Sequence, residues 1–261
     1  MTPERPHIDP MPAGETPVPA TLQQPAENAP PRDPFWDYTD LAWFIGTAIA
    51  SIVAGSGVEL LVGAAIKPKI IGVAAGMVAL YALLFGALKM MFRVRYDRPF
   101  WNSLDWKPTR LPAMWALLSG MVTAVVVQWA SALIHTPTGE TPMTKLLDSR
   151  ADVVIMGTIG VTLAPVCEEL AFRGFLQPLL VRSVGAAGGV LLTAIPFGLL
   201  HFREYGDSWR HALIIAMAGA AFGWMRQATG STKAAAIMHA GFNLLPFIAL
   251  MTEKNILPHP W

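Results

Sequence analysis

Cysteine is almost missing from this chain of 261 residues. Cys167 stands alone, so neither an internal disulfide nor a zinc site of several thiolates can form. Its place beside Glu168 suggests a thiol nucleophile, but a lone cysteine in an apolar run reads more simply as a small packing residue. Charge is scarce too, at 14% of residues against about 25% in soluble domains, while 53% are hydrophobic. The net charge of +1 gives no reason to expect nucleic acid as a partner. His-Glu-x-x-His, a glycine-rich phosphate loop before a lysine, and a solenoid repeat are all absent. What remains is an all-α membrane protein, a polytopic bundle of about seven or eight spanning helices in a lipid bilayer.

Residues 1–34 carry ten prolines among polar residues, which blocks helix and sheet and offers little apolar surface to offset ordering entropy. This stretch reads as a disordered cytoplasmic tail. It lacks the basic start and short apolar core of a cleavable signal peptide, so the first span is expected to stay as an anchor. Seven apolar segments follow, at about 41–65, 70–92, 112–134, 152–182, 187–203, 209–227 and 231–251. The fourth is too long for one simple crossing and contains Pro165, which predicts a kink or break. Phe35, Trp36, Tyr38, Trp43, Phe100, Trp101, Trp106 and Trp209 flank the segments as an interfacial belt. The organisation expected is a tail (1–34), two spans with a basic loop (35–110), a core (111–251) and a short end (252–261).

Lys89, Arg93, Arg95, Arg98, Lys107 and Arg110 surround the loop after the second span and predict that it faces the cytoplasm. Lys67 and Lys69 fall on the opposite side and weigh against that orientation. Gly55, Gly57, Gly185, Gly188, Gly189 and the Gly219-x-x-x-Gly223 pair read as close helix packing.

Against this apolar background stand Glu168, Glu169, Arg173, His201, His239 and Asn243. Ionisable groups at membrane depth cost several kcal/mol or more unless paired or hydrated. Glu169 and Arg173 are four apart, on one helix face, and suit an ion pair. Glu168 lies about 100° further round and stays free to act. Phe197 precedes His201 by four residues and can pack on its ring, and His239 and Asn243 share a face. A desolvated glutamate beside an arginine can accept a proton from water. A histidine can fix that water or pass the proton on, and an amide and a second imidazole can stabilise an oxyanion. Glu168, His201 and His239 also suit the three-ligand site of a catalytic zinc. Zinc and no metal at all both stay open. Glu59 is a further ionisable group in a span, and Arg203, Glu204, Asp207 and Arg210 form a charged loop that reads most simply as a solvated connection, with guidance of substrate entry as the alternative.

Residues 165–180, with Cys-Glu-Glu-Leu-Ala-Phe-Arg-Gly, resemble the first motif of the CPBP family. These are the CAAX-processing and bacteriocin-processing intramembrane proteases, also called Abi proteins. Phe197-Gly-Leu-Leu-His201 is similar to the second motif and His239-Ala-Gly-Phe-Asn243 to the third, in the family's order. The likeness covers about residues 110–250. It implies an intramembrane endopeptidase in which Glu168 activates water beside His201, while His239 and Asn243 stabilise the oxyanion and Glu169 and Arg173 support them. The family is commonly labelled metalloprotease, yet a metal-free glutamate mechanism is also argued for it. The partners implied are a peptide or lipidated, including prenylated, protein substrate, and the location a bacterial cytoplasmic membrane. Two other readings keep the same residues: a transporter or channel with a proton path through Glu59 and Glu168, and a non-catalytic immunity or scaffold protein. One feature fits poorly. Simple alternation of seven spans puts His201 near the outer end of its helix and His239 nearer the inner end of its own.

Overall fold

The structure is a computed structural model and describes residues 33–254; the Pro-rich stretch before Asp33 and the last seven residues lie outside them. The described chain is helical throughout, without strands. Its long elements are α1 (Tyr38–Ala65), α2 (Ile70–Tyr96), α4 (Ala113–Leu133), α8 (Gln177–Leu200), α9 (Trp209–Thr229) and α10 (Thr232–Glu253). Short elements are α3 (Phe100–Ser103), α5 (Pro142–Leu146), α6 (Arg150–Val161) and α7 (Leu163–Glu169), with a π-helical segment over Leu170–Leu176. Five runs are long and apolar enough to cross a bilayer: α1, α2, α4, the run Arg150–Leu200, and α10. Side chains such as Leu60, Leu61, Trp129 and Leu133 are more than 70% exposed, so the outer surface is apolar where lipid would lie. The protein is an integral, multi-pass helical membrane protein.

The run Arg150–Leu200 holds both the break the sequence predicts and a reversal it does not. Pro165 cannot donate to the carbonyl of Val161, and its ring crowds that carbonyl. The helix accordingly ends at Val161 and restarts at Leu163, with Thr162 off helical geometry (φ −117°, ψ −73°). Further on, Gly185 adopts φ 78° and ψ 172°, a region open essentially to glycine alone. Residues eight apart in a straight helix are separated by about 12 Å. Here a Cβ on Gly189 would lie 2.5 Å from the Val181 side chain and 2.6 Å from its backbone nitrogen. The chain has folded back on itself. Gly185 is therefore a turn residue rather than the packing residue expected, while Gly189 does serve close approach. Splitting this run and adding α9 gives seven helical legs among the described residues, at the positions of the seven apolar segments.

The two ends of the bundle are held differently. At the basic end, Asp37 caps α1 by accepting from the backbone of Thr39 and Asp40, and buried Asp40 accepts from Tyr96 (2.6 Å) and pairs with Arg95 (3.1 Å). The start of α10 is tied there too: Thr232 donates to Leu104 and Asp105 carbonyls and Ser231 to that of Lys107. Trp36, Phe92 and Phe175 pack together behind these contacts, and the Trp36 indole donates to the Phe175 carbonyl at 3.1 Å. At the other end the Met143 amide in α5 donates to the Glu204 carbonyl (3.1 Å), and Arg210 donates to the His135 carbonyl (2.7 Å).

Replacing Gly185 by alanine should strain the reversal and cost about 1–3 kcal/mol. The measurement is a thermal melt of purified protein in detergent, in which Gly57→Ala, whose Cβ meets nothing within 4 Å, should melt close to wild type.

Candidate active site

The site grows from the segment on either side of Glu169. α7 gives way there to π-helical turns, a geometry often found at functional sites. Glu169 and Arg173 are both fully buried and paired, Arg173 Nη1 lying 2.9 Å from Glu169 Oε1. Arg173 Nη2 donates to the Gly219 carbonyl at 2.6 Å, and its guanidinium lies over the Phe197 ring, 4.4 Å from the centroid. One helical turn on, Gln177 repeats the contact by donating to the Gly223 carbonyl at 2.9 Å. Side chains on Gly219 and Gly223 would meet Phe197, Arg173 and Gln177. The Gly219-x-x-x-Gly223 pair thus makes room for polar side chains that bond its own carbonyls, where the sequence suggested helix against helix.

His239 joins the two glutamates. Its Nδ1 lies 2.9 Å from Glu169 Oε1 and its Nε2 3.9 Å from Glu168 Oε2. An ionised Glu169 can only accept, so Nδ1 carries the hydrogen and Nε2 is turned toward Glu168. Phe222 stacks on the imidazole at 4.5 Å and 18°, which fixes the ring plane. Glu168 differs from its neighbour: its side chain is 21% exposed, and Oε2 accepts no hydrogen bond among the described residues.

His201 closes the end of α8, with Nδ1 2.9 Å from the Phe197 carbonyl. The Phe197 ring touches both imidazoles, at 5.2 Å from His201 and 5.7 Å from His239. Asn243 donates from Nδ2 to the Gly160 carbonyl (2.7 Å), beside the break at Thr162. Glu168, His201, His239 and Asn243 all line one cavity of about 640 Å³ that runs from α5 and the loop after α8 down to Phe222. The wide separation that simple alternation implies for His201 and His239 does not keep them from one site: segment four is broken, and the Phe197 ring touches both imidazoles.

Two further residues line the cavity, one unmarked in the sequence and one read chiefly as a loop charge. Tyr81, from α2, shares the cavity with Glu168, and nothing in its local sequence marks it. Glu204 also lines it, although its loop reads as a solvated connection; its closeness to His201 was the available signal. Glu204 is an exposed residue, yet protein packs around its carboxyl. Burial lifts this carboxyl above its ordinary range, with His201 working against the shift and Glu168 adding to it. Glu59 is exposed on α1 and takes no part in the cavity. Cys167 is buried among apolar neighbours.

A three-ligand metal site fits this geometry poorly. Among the described residues no three His, Cys, Asp or Glu side chains gather closely enough to hold an ion. Glu169 holds Nδ1 of His239 and the Phe197 carbonyl holds Nδ1 of His201, which leaves Nε2 of each ring open, so the disagreement with a metal site is one of spacing alone.

Residues 150–245 match the family model described as Type II CAAX prenyl endopeptidase Rce1-like. That stretch is similar to the CAAX prenyl endopeptidases. The matched segment opens with α6 and closes inside α10, so it takes in Glu168, Glu169, Arg173, His201, His239 and Asn243. It leaves out α1, α2 and α4, and with them Tyr81. No curated protein and no solved structure matches the chain.

Arg173→Ala leaves Glu169 buried without its cation and should destabilise the protein by about 3–5 kcal/mol, whereas Glu169→Gln with Arg173→Met should recover much of that loss. Chemical denaturation monitored by tryptophan fluorescence distinguishes the two.

Proposed function

We propose that the protein is an intramembrane endopeptidase in which Glu168 activates water against a peptide bond. The observation that carries this reading is the convergence of Glu168, His201, His239 and Asn243, from three helical legs, on one cavity inside an apolar bundle. Glu169 and Arg173 serve as supports, since they fix His239 and are themselves sealed from the cavity.

In this mechanism the free carboxylate of Glu168 takes a proton from water as the water oxygen bonds to the scissile carbonyl carbon. Charge then develops on the carbonyl oxygen. The Asn243 amide has a second N–H beyond the one given to Gly160, and a doubly protonated His239 can donate from Nε2; both suit that oxyanion. The carbon–nitrogen bond breaks as the proton held by Glu168 passes to the leaving amine, with His201 placed at the cavity's outer part to hold water or relay the proton. No step needs a metal ion. Shielding from bulk water favours the chemistry, because fixed dipoles act more strongly where the effective dielectric is low.

The substrate we infer is a membrane-associated polypeptide, a prenylated one among the candidates. The cavity wall supports this, since Met77, Leu80, Met156, Ile215 and Phe247 offer an apolar chain a place beside the carboxylate. We place the protein in a bacterial cytoplasmic membrane with the basic end inside, on the strength of Arg93, Arg95, Arg98 and Lys107.

Glu168→Gln should lower cleavage of a membrane-anchored reporter peptide by about 10²–10⁴-fold, and Asn243→Ala by about 10²–10³-fold in kcat. Both variants should melt near wild type. Cleavage by Glu168→Gln at the wild-type rate would remove Glu168 from the chemistry.

A further inference from the structure

α2 lies outside the stretch that matches the family model, yet it walls one side of the Glu168 cavity with Val73, Met77, Leu80 and Tyr81. Of these four side chains, Tyr81 alone carries a hydrogen-bond donor. It sits near the middle of α2, away from the span ends where tyrosine serves as an interfacial anchor. Phe85, four residues on, lies beside its ring with centroids 6.4 Å apart. A phenol hydroxyl in apolar surroundings usually finds a partner. Tyr38 bonds Ser183 and Tyr96 bonds Asp40, but the Tyr81 hydroxyl has no such partner among the described residues. Nor is it enclosed by protein, so it stays open to the cavity.

Glu168 presents the matching group. Its Oε2 is enclosed, whereas Oε1 is open to the cavity and has no hydrogen-bond partner among the described residues. Of the two carboxylates that line the cavity, Glu168 bears on the Tyr81 phenol more strongly than Glu204 does. A water that attacks a carbonyl needs more than a base. Glu168 takes one of its hydrogens, and the other must be held so that a lone pair faces the carbonyl carbon. His239 and Asn243 act as donors in the mechanism above, so neither serves as that second acceptor. His201 Nε2 is the rival, since Nδ1 of that ring bonds the Phe197 carbonyl. A neutral phenol oxygen accepts the hydrogen and adds no charge to a site that already holds carboxylates.

Resting on the hydrolytic reading above, we propose that Tyr81 is a positioning residue whose hydroxyl orients the water that Glu168 activates. α2 then completes a site whose other proposed catalytic groups, Glu168, His201, His239 and Asn243, all come from the matched segment.

The test uses the full chain in nanodiscs with the membrane-anchored reporter peptide. Tyr81→Phe keeps the ring and removes the hydroxyl. Its kcat should fall about 10²-fold, the scale of a misplaced reacting group, while KM and melting temperature stay near wild type. Tyr81→Leu, which also removes the ring, should melt lower. A ring-fluorinated tyrosine at position 81 accepts less well and donates better, and it should slow cleavage. A cryo-electron microscopy map should show a water within hydrogen-bond reach of both Tyr81 Oη and Glu168 Oε1, and Tyr81→Phe should lose it. Wild-type kcat in Tyr81→Phe passes the role to His201 and overturns the proposal. A raised KM with kcat unchanged, faster cleavage by the fluorinated protein, or a map without a water joining the two side chains overturns it as well. The hydrolytic reading fails by a different result, namely cleavage by Glu168→Gln at the wild-type rate or no cleavage by wild type. The map still decides in that event whether Tyr81 and Glu168 hold a water between them.

Discussion

A single buried ion pair organises this molecule. Glu169 and Arg173 sit with no solvent access inside a bundle whose surroundings are apolar, where either charge alone is prohibitive. Their mutual contact is not enough to satisfy them. Arg173 has five donors and so reaches across to the Gly219 carbonyl, while Glu169 takes the Nδ1 hydrogen of His239. The pair therefore draws α9 and α10 onto the π-helical segment at one depth. Without it Phe197 and Phe222 would still pack on His239, but its Nδ1 would lose the acceptor that turns Nε2 toward Glu168.

The division of labour between two adjacent glutamates follows from the same geometry. Neighbouring residues on a helix point in different directions, so only one of them can face Arg173 squarely. Glu169 is enclosed and spent on structure, whereas Glu168 keeps a buried oxygen without a hydrogen-bond partner at the wall of a large cavity. An uncompensated carboxylate in such a place is costly, and proteins retain that cost at sites that work. Phe197 and Phe222 add the remaining constraint by fixing the planes of the imidazoles. Small residues permit the closeness: a Cβ on Gly120 would lie 1.8 Å from the Met238 carbonyl, so α4 presses directly on the helix that carries His239.

Much of this was legible from residue types and spacing. Apolar length marked the spans, because a bilayer admits little else. The motif residues stood out because charge is so rare around them, and four-residue spacing paired Glu169 with Arg173 since the helical repeat leaves few alternatives. Pro165 announced a break, which falls at Thr162 because proline disturbs the carbonyl four residues before it. Gly185 was misread as packing. In sequence a glycine that supplies a positive φ looks the same as one that supplies a small surface, and only backbone angles separate them. Glu204 was read as a solvated loop charge for a similar reason: local sequence cannot say that α5 folds over to meet its carbonyl.

Hydropathy and helical periodicity, then, determined the class of fold, the legs of the bundle and the short list of reactive side chains, because each depends on interactions within one segment. Which glutamate is enclosed, how His201 and His239 come to share one cavity, and why Tyr81 and Glu204 belong to it were decided by tertiary packing. Those facts depend on contacts between residues far apart in the chain, set by steric fit and by the demand that every buried charge find a partner, and neither is written in the order of residues along any single helix.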